Sequence, residues 1–336
     1  MPAELAQRLA DRSGRLLEAA QRRVLGRFPG AVVLLYHRVA ALETDPFAMA
    51  LPPEHFDEHL GVIRSSYEPL GLAELARAVR RRRVPRRGVV ITFDDGYADN
   101  LHAARPVLER HGIPATVFVA SGYVGAQREF WWDELERLLR RAAGARAELR
   151  LRLRERALVY ARLADDGGAA ALTELQFALR TSTAGEIDSV LAQLRASVGE
   201  PAGPQVREAH RPLRVDELGL LARDALVDIG AHTRSHANLA RASRDEQQRE
   251  LEGSKRDLEQ WLGSAVAGFS FPFGRRRRDY TRSTVRLARK VGFELAAVRF
   301  PTRVTAASST MQIPRLVAPA VAGGDFERWL AERFGR

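Results

Sequence analysis

The sequence predicts an α/β fold, a distorted (β/α)7-type barrel with a helical insertion. Short and almost continuously apolar runs alternate with helical stretches, and this alternation is interrupted once in the middle of the chain. Apolar runs of strand length are typical of parallel strands that helices cover on both faces. We predict strands near residues 31–36, 88–93, 114–120, 226–231, 267–272, 294–299 and 312–317.

The interruption lies between residues 123 and 213, where the rhythm of strands stops. Helical patterning covers three stretches, residues 134–154, 155–163 and 186–196. Segments rich in Gly, Pro and Asp separate them. The sequence therefore predicts a helical insertion over 126–212, and it assigns 29–125 and 213–336 to the barrel.

The first 28 residues are predicted to form an amphipathic helix with arginines among its apolar positions. The helix either packs on the barrel or rests on a membrane surface through its basic face. The segment lacks the central apolar block of a secretory signal, and no run in the chain reaches the roughly 20 residues of a membrane span. We therefore expect a cytoplasmic location, with the surface of the inner membrane as the alternative.

The chain carries a net charge of +11, and 51 of its 53 basic residues are arginine, since Lys255 and Lys290 are the only lysines. Two arginine runs stand out, 80–83 and 275–278. Neither run contains the interleaved aromatic residues on which nucleic-acid bases stack. We interpret the runs as solvated surface and expect no nucleic-acid partner, with an anionic substrate or lipid as the alternative.

Two adjacent carboxylates, Asp94 and Asp95, end the buried strand predicted over 88–93. Buried charges are costly unless a partner compensates them. The pair is therefore a candidate for catalysis or metal binding. The alternative is an ordinary helix N-cap, a position that Asp favours.

Two histidines, His232 and His236, follow the strand predicted over 226–231. They converge on one metal ion if the first turn after the strand is helical. Together with one Asp they make a three-ligand set that leaves positions open for water and substrate, as in hydrolytic metal sites. Since the chain has no cysteine, thiolate ligands and disulfides are excluded.

These two motifs resemble those of the polysaccharide deacetylase family, also called carbohydrate esterase family 4 or the NodB-homology domain. The family's T-F-D-D-G matches Thr92–Gly96, and its H-[ST]-x-x-H matches His232, Thr233 and His236. The resemblance covers about 30–125 and 213–320.

The resemblance implies a role for each matching residue. Asp94 would be the general base, while Asp95, His232 and His236 would bind a divalent ion, zinc or alternatively cobalt or nickel. Thr233 would steady the metal loop by hydrogen bonding. The backbone N–H of Tyr97 would help to hold the oxyanion.

The third motif of the family, R-x-P-[FY]-G, is incomplete in this chain. Pro272, Phe273 and Gly274 match it and would lie beside the substrate, but Ser270 replaces the leading arginine. In the family that arginine orients the base. Arg315, at the end of another predicted strand, is the candidate substitute. The aromatic fourth motif of the family is not recognisable.

The histidine that protonates the leaving group in the family usually lies in a C-terminal L-x-H, but no histidine follows His236 here. Leu35-Tyr36-His37 supplies L-x-H after the first strand instead. The first and last strands of a barrel are neighbours, so the chain resembles the circularly permuted members of the family. His37 is thus the candidate general acid, and the alternative is a structural histidine.

Adjacent tryptophans, Trp131 and Trp132, begin the insertion. They either line a sugar site or pack the start of a helix.

The resemblance predicts a metal-dependent hydrolase that removes acetyl groups from an N-acetylated saccharide, with removal of O-acetyl groups left open. The alternatives are a related amidase of the same barrel type and a non-catalytic glycan-binding homologue. Neither the sugar nor the oligomeric state follows from the sequence.

Overall fold

The structure is a computed structural model that describes residues 30–145, 148–161, 163–201 and 205–335. The strands in chain order are β1 (Val32–Tyr36), β2 (Arg38–Val39), β3 (Ala50–Leu51), β4 (Glu68–Pro69), β5 (Gly88–Phe93), β6 (Ala115–Val119), β7 (Leu149–Leu153), β8 (Arg156–Tyr160), β9 (Val227–Ala231), β10 (Gly268–Ser270), β11 (Leu295–Arg299) and β12 (Ile313–Val317). The α-helices are α1 (Pro53–Ser66), α2 (Leu72–Arg80), α3 (Arg105–His111), α4 (Trp131–Gly144), α5 (Ala169–Leu179), α6 (Ala184–Ser197), α7 (Val215–Ala222), α8 (Arg244–Leu262), α9 (Arg282–Val291) and α10 (Gly323–Arg333).

Seven parallel strands form a closed barrel in the order β1, β12, β11, β10, β9, β6 and β5. The barrel closes because β1 pairs with both β12 and β5, the latter from Val32 opposite Val89 to Tyr36 opposite Phe93. The short strand β4 adds to β5 outside this ring. The predicted (β/α)7-type barrel and its seven strands are confirmed.

The barrel strands are buried because their residues are apolar on both faces. All five residues of β1, all six of β5 and all five of β6 are buried. Burial of each such side chain contributes roughly 1.5–3 kcal/mol relative to exposure. Since all seven strands are parallel, their carboxyl ends lie at one end of the barrel, where sites of such folds are found.

Local sequence signals set the ends of the outer helices. The N-cap of helix α8 is Ser243, whose hydroxyl accepts a hydrogen bond from the Glu246 N–H in a capping box, and its C-cap is Gly263 in the left-handed conformation. Helix α9 uses the same devices at Thr281 and Gly292.

The insertion contains helices α4, α5 and α6, but it also contains the antiparallel hairpin β7–β8. The prediction of helix across 149–160 is therefore wrong. Leu and Arg are both good helix formers, yet they alternate strictly in β7, and only a strand buries its three leucines on one face. Arg154, in the left-handed region at φ 56°, makes the turn.

The insertion packs on the carboxyl end of the barrel through its own apolar core. That core combines residues of α4, α5, α6 and β7 with Tyr97, Ala120 and Tyr123 from the loops that follow β5 and β6. The core of the insertion thus includes Tyr97, which lies in the loop that carries the two aspartates.

The amphipathic helix predicted over 1–28 lies outside the described residues. In the part of the chain that is described, no helix is long and apolar enough to cross a membrane. The arginine runs 80–83 and 275–278 lie largely exposed.

Candidate active site

The predicted site residues meet at the carboxyl end of the barrel. His37 follows β1, Asp94 and Asp95 follow β5, and His232 follows β9. Arg315 lies in β12. These side chains come together because each stands at or near the carboxyl end of a strand in one closed ring.

Asp95, His232 and His236 form one buried cluster whose potential ligand atoms lie within 4.8 Å of one another. The Nε2 atom of His232 lies 3.6 Å from Asp95 Oδ1, and Nε2 of His236 lies 3.4 Å from the same oxygen. These separations exceed hydrogen-bond lengths. Two atoms bound tetrahedrally to one ion at about 2.0–2.1 Å would themselves lie about 3.4 Å apart.

Two further observations test whether these residues fit a divalent ion. Asp95 Oδ1 is buried and accepts no hydrogen bond from the described residues, although buried polar atoms are nearly always paired. His232 Nδ1–H donates to the Ser270 carbonyl at 2.8 Å, which directs the free Nε2 lone pair at the cluster. One carboxylate and two imidazoles are common ligands of zinc and of neighbouring transition metals. The residues therefore fit such an ion.

The protonation of the cluster depends on its burial. Burial raises the pKa of Asp95 well above its ordinary value, and the nearby charges of Asp94 and Asp133 act in the same direction. Burial lowers the pKa of His232 and of His236. The imidazoles are therefore neutral, as metal ligands must be, and a bound cation would favour the ionised form of Asp95.

The histidine loop is not helical, contrary to the expectation that a helical turn brings the two rings together. Thr233 at φ 62° and His236 at φ 57° are both in the left-handed region. Thr233 Oγ1 accepts a hydrogen bond from the Ala237 N–H at 3.2 Å, and Glu250 accepts from the N–H groups of Arg234 and Ser235. These contacts offset the backbone strain, which is of order 1–3 kcal/mol per residue.

Asp94 forms a bidentate ion pair with Arg315. Arg315 Nη1 donates to Oδ1 and Nη2 donates to Oδ2, each at 2.7 Å. Arg315 Nη2 also donates to Ser270 Oγ at 2.6 Å. Ser270 stands where the third motif has arginine, so its short side chain leaves space that Arg315 of β12 enters. The structure thus places Arg315 where the sequence predicted a substitute.

The ion pair fixes the charge of Asp94. Burial by itself would raise the pKa of this carboxyl, but the charge and hydrogen bonds of Arg315, with His232 and His37, outweigh it. The pKa of Asp94 lies well below its ordinary value. Asp94 is therefore ionised throughout the neutral range.

His37 lies among the same charges. Its pKa is lowered to about 4, because burial and the nearby cations Arg315 and Arg299 outweigh the attraction of Asp94. The resting imidazole is neutral, so it acts as an acid only after it has received a proton during the reaction.

Tyr97 contributes to the site through both its backbone and its side chain. Within the described residues, the Tyr97 N–H donates to no carbonyl, which leaves it free to face an oxyanion. The phenol donates to Asp133 Oδ2 at 2.6 Å and accepts a hydrogen bond from Trp132 Nε1 at 2.7 Å. Arg38 lies over the ring, 4.3 Å from its centroid. This buried network holds Tyr97 in place and, with it, the loop that carries Asp94 and Asp95.

Three members of this network, Asp133, His210 and Arg38, were not predicted from the sequence. His210 Nδ1 lies 3.2 Å from Asp133 Oδ1 and 3.3 Å from Arg38 Nη1. Arg38 also donates to Asp99 at 2.9 Å. Only their position in the sequence could have indicated two of them, because Arg38 directly follows His37 and Asp133 directly follows the tryptophan pair.

Trp131 and Trp132 are 4% and 5% exposed, so neither presents a ring face to a sugar. Trp132 instead stacks on Phe130 and meets the ring of His236 edge to face at 4.7 Å. The structure favours the packing interpretation, in which Trp132 positions the metal-site histidine.

Pro272, Phe273 and Gly274 form a tight turn beside His236. The backbone of Phe273 has φ 60°, and the centroid of its ring lies 4.7 Å from that of the His236 ring. Gly274 has φ 72°, and a Cβ there would lie 2.5 Å from the Arg299 nitrogen. Only glycine fits this position without a shift of the backbone.

We expect Tyr97→Phe to lower the free energy of unfolding by about 1–3 kcal/mol, because it leaves the buried groups of Asp133 and Trp132 without a partner. Urea denaturation measures this change. Tyr280→Phe is the matched control, since the Tyr280 hydroxyl makes a single 3.3 Å bond to Gln312. Equal losses in both variants would contradict a special role for the Tyr97 hydroxyl.

Comparison with known proteins agrees with this site. Residues 81–145 and 203–296 match the sequence profile of a family described as polysaccharide deacetylase. YxkH of Bacillus subtilis (strain 168), whose name carries a provisional assignment as a polysaccharide deacetylase, is 27% identical over 108 residues, which are 32% of this chain and 37% of that protein. The chain thus matches little more than a third of the length of this curated relative.

Solved structures share the fold. The Streptococcus pyogenes deacetylase PplD, in complex with acetate, matches with a TM-score of 0.57 at 18% identity over 91% of this chain and 98% of that chain. IcaB from Ammonifex degensii matches with a TM-score of 0.57 at 17% identity over 91% of this chain and 97% of that chain. At these identities the likeness establishes the architecture.

Proposed function

Because the chain belongs to the polysaccharide deacetylase family, we propose that it hydrolyses the acetamido group of an N-acetylated saccharide with the help of a divalent metal ion. One observation carries this proposal: the buried Asp95, His232 and His236 cluster lies next to an ionised Asp94 at the catalytic end of the barrel. A non-catalytic glycan-binding protein has no need of either feature.

Asp95, His232 and His236 would hold the ion, for which we propose zinc, with cobalt and nickel as alternatives that the same ligands accept. When bound, such an ion lowers the pKa of coordinated water towards about 7 and polarises a carbonyl oxygen. His232 keeps the tautomer that this requires, because its Nδ1–H is held by the Ser270 carbonyl.

Asp94 would accept a proton from the attacking water. Its carboxylate is ionised and held in place on both oxygens by Arg315, and Oδ2 lies 3.8 Å from His232 Nε2. Asp94 therefore stands beside the cluster without being needed as a ligand. A fixed and charged base of this kind typically contributes 10²–10⁴-fold to the rate.

The remaining groups would stabilise the tetrahedral intermediate and protonate its leaving group. The free Tyr97 N–H would donate to its oxyanion. His37 would take up a proton and pass it to the leaving nitrogen, and the low pKa of this imidazole makes its protonated form a strong donor. The C–N bond breaks, water supplies the new C–O bond, and the products are acetate and an amino sugar.

Acetate release tests the proposal. Wild type and Asp94→Asn are assayed on a panel of N-acetylated saccharides with metal content measured in parallel. We expect metal-dependent release by wild type and a loss of about 10²-fold or more in Asp94→Asn with the metal retained. Asp188→Asn, on the exposed surface of the insertion, is the matched control. Its expected activity is that of wild type.

Two results would overturn the proposal in different ways. Wild type that stays inactive after zinc, cobalt and nickel have each been added contradicts a metal hydrolase. Bound metal without acetate release contradicts a deacetylase and favours the related amidase, for which other amides are the substrates to assay.

A further inference from the structure

Three arginines lie around the turn of Phe273 and Gly274, next to the metal-site residue His236: Arg180, Arg275 and Arg299, which we refer to as the arginine triad. Arg180 ends helix α5 of the insertion, and its guanidinium lies over the Phe273 ring, 4.3 Å from the centroid. The Phe273 ring also contacts the ring of His236, so that Phe273 lies between Arg180 and the metal site. Arg180 and His236 also line one small cavity.

Arg275 and Arg299 meet the same turn at Gly274. Arg275 directly follows Gly274, and the Arg299 N–H donates to the Gly274 carbonyl at 3.1 Å. Arg299 ends β11 opposite Arg315 of β12. Gly274, Arg275, Arg299 and Arg315 line a groove of about 980 Å³, which thus reaches the arginine that holds the catalytic base. Arg180 lines the small cavity beside His236 instead.

The positive charge of the arginine triad is only partly balanced, by Asp279. Across the described ranges, Arg275 and Arg299 make no ion pair, and Arg180 Nε and Nη2 are buried without a hydrogen bond. The carboxylate nearest to Arg180 belongs to Asp279, at 4.0 Å. Asp279 already accepts hydrogen bonds from the Arg275 N–H and from Asn238.

The like charges also disfavour one another. Burial, with the charges of Arg275, Arg278 and Arg299, lowers the pKa of Arg180 to about 10. Burial and Arg275 lower the pKa of Arg299 in the same way. Guanidinium groups that repel each other favour an anion between them, most of all beside Arg180, whose Nε and Nη2 atoms are buried without a hydrogen bond to the described residues.

We propose that the saccharide carries an oxyanion, a phosphate or a carboxylate, and that the arginine triad binds it beside the reacting acetamido group. Guanidinium groups bind such oxyanions in a planar, bidentate geometry. In the same groove Phe300, 47% exposed, and Trp329 offer apolar surface to sugar rings. The inference names the substrate class of the proposed deacetylase and rests on that function.

Affinities of three matched probes test the inference by calorimetry. The probes are N-acetylglucosamine 1-phosphate, N-acetylmuramic acid as the carboxylate, and neutral methyl N-acetylglucosaminide. We expect wild type to bind at least one anionic probe about tenfold more tightly than the neutral probe. The preferred probe distinguishes phosphate from carboxylate. Equal affinity for all three probes overturns the inference.

Arg180→Gln and Arg299→Gln should each reduce the anionic-to-neutral affinity ratio by about tenfold. Arg81→Gln is the matched control, since it removes the same charge from an exposed run that precedes β5, at the other end of the barrel. If Arg81→Gln reduces the anionic-to-neutral affinity ratio as much as the triad variants do, the anion does not bind specifically at the arginine triad. If the Gln variants unfold, a salt titration of wild type decides, because added salt must weaken anionic binding alone.

Acetate release measured on the same probes keeps the two proposals apart. Release from the neutral probe without preference for an anion leaves the deacetylase in place and overturns the oxyanion site. Preferential binding of an anion without release from any probe supports the oxyanion site and contradicts the deacetylase.

Discussion

Replacing Asp95 by asparagine is expected to abolish zinc binding and, in metal-free protein at pH 8, to raise the free energy of unfolding by about 1–3 kcal/mol. The Asp95 carboxylate is buried, its Oδ1 accepts no hydrogen bond from the described residues, and Asp94 and Asp133 repel it. Without metal, the ionised form is therefore unfavourable in the folded state. Asparagine has the same shape and no charge.

The pH dependence of this effect follows from the direction of the pKa shift. The folded-state pKa of Asp95 is raised above the unfolded value of about 3.9. Its contribution to stability is complete below that value and is lost as the pH rises through the folded pKa. The gain in the free energy of unfolding from Asp95→Asn should accordingly be absent in acid and grow towards neutral and alkaline pH.

Thermal melts at several pH values, with and without zinc, measure both effects. Zinc should raise the melting temperature of wild type and leave that of Asp95→Asn unchanged, because binding to the folded state alone stabilises it. Asp57→Asn is the matched control, since the exposed Asp57 pairs with Arg110 and His111. That pairing lowers the pKa of Asp57, so its loss costs a little stability. A metal-free Asp95→Asn protein that is less stable than wild type at pH 8 would contradict the uncompensated charge.

The sequence predicts the barrel and the assembly of the site because both depend on local patterns. Most barrel strands are nearly continuous apolar runs, and Asp94, Asp95 and His232 directly follow such runs. In a parallel barrel, residues at the carboxyl ends of strands share one end of the molecule. The meeting of Asp94 with Arg315 follows from the same rule, although the two residues are 221 positions apart. The catalytic roles of these residues stay predictions.

Features that depend on tertiary partners were missed or misjudged. Strand β7 consists of leucine and arginine, which have high helix propensity, and packing of its leucines in the core of the insertion overrides that propensity. The low pKa of His37 depends on how deeply the fold buries it. The network of Tyr97, Asp133 and His210 joins distant segments, so no spacing in the sequence indicates it.

Removing the guanidinium of Arg315 is expected to produce the largest loss of stability. Arg315→Leu would leave Asp94 buried without its ion pair, which costs about 3–5 kcal/mol at neutral pH. With burial unopposed, the pKa of Asp94 should rise above its ordinary value, so the loss should shrink in acid, where the carboxyl is protonated. Acetate release should fall along with stability, because the base is no longer held in place.

A double-mutant cycle separates the pair from its surroundings. Arg315→Leu combined with Asp94→Asn should be more stable than Arg315→Leu alone, because the double variant contains no unpaired buried charge. Arg315→Lys should restore part of the stability without the bidentate geometry. Arg110→Leu, which removes an exposed partner of Asp57, is the control and should cost less than about 1 kcal/mol. Single and double variants of equal stability would mean that Arg315 acts by packing alone, and another residue would then have to fix the charge of Asp94.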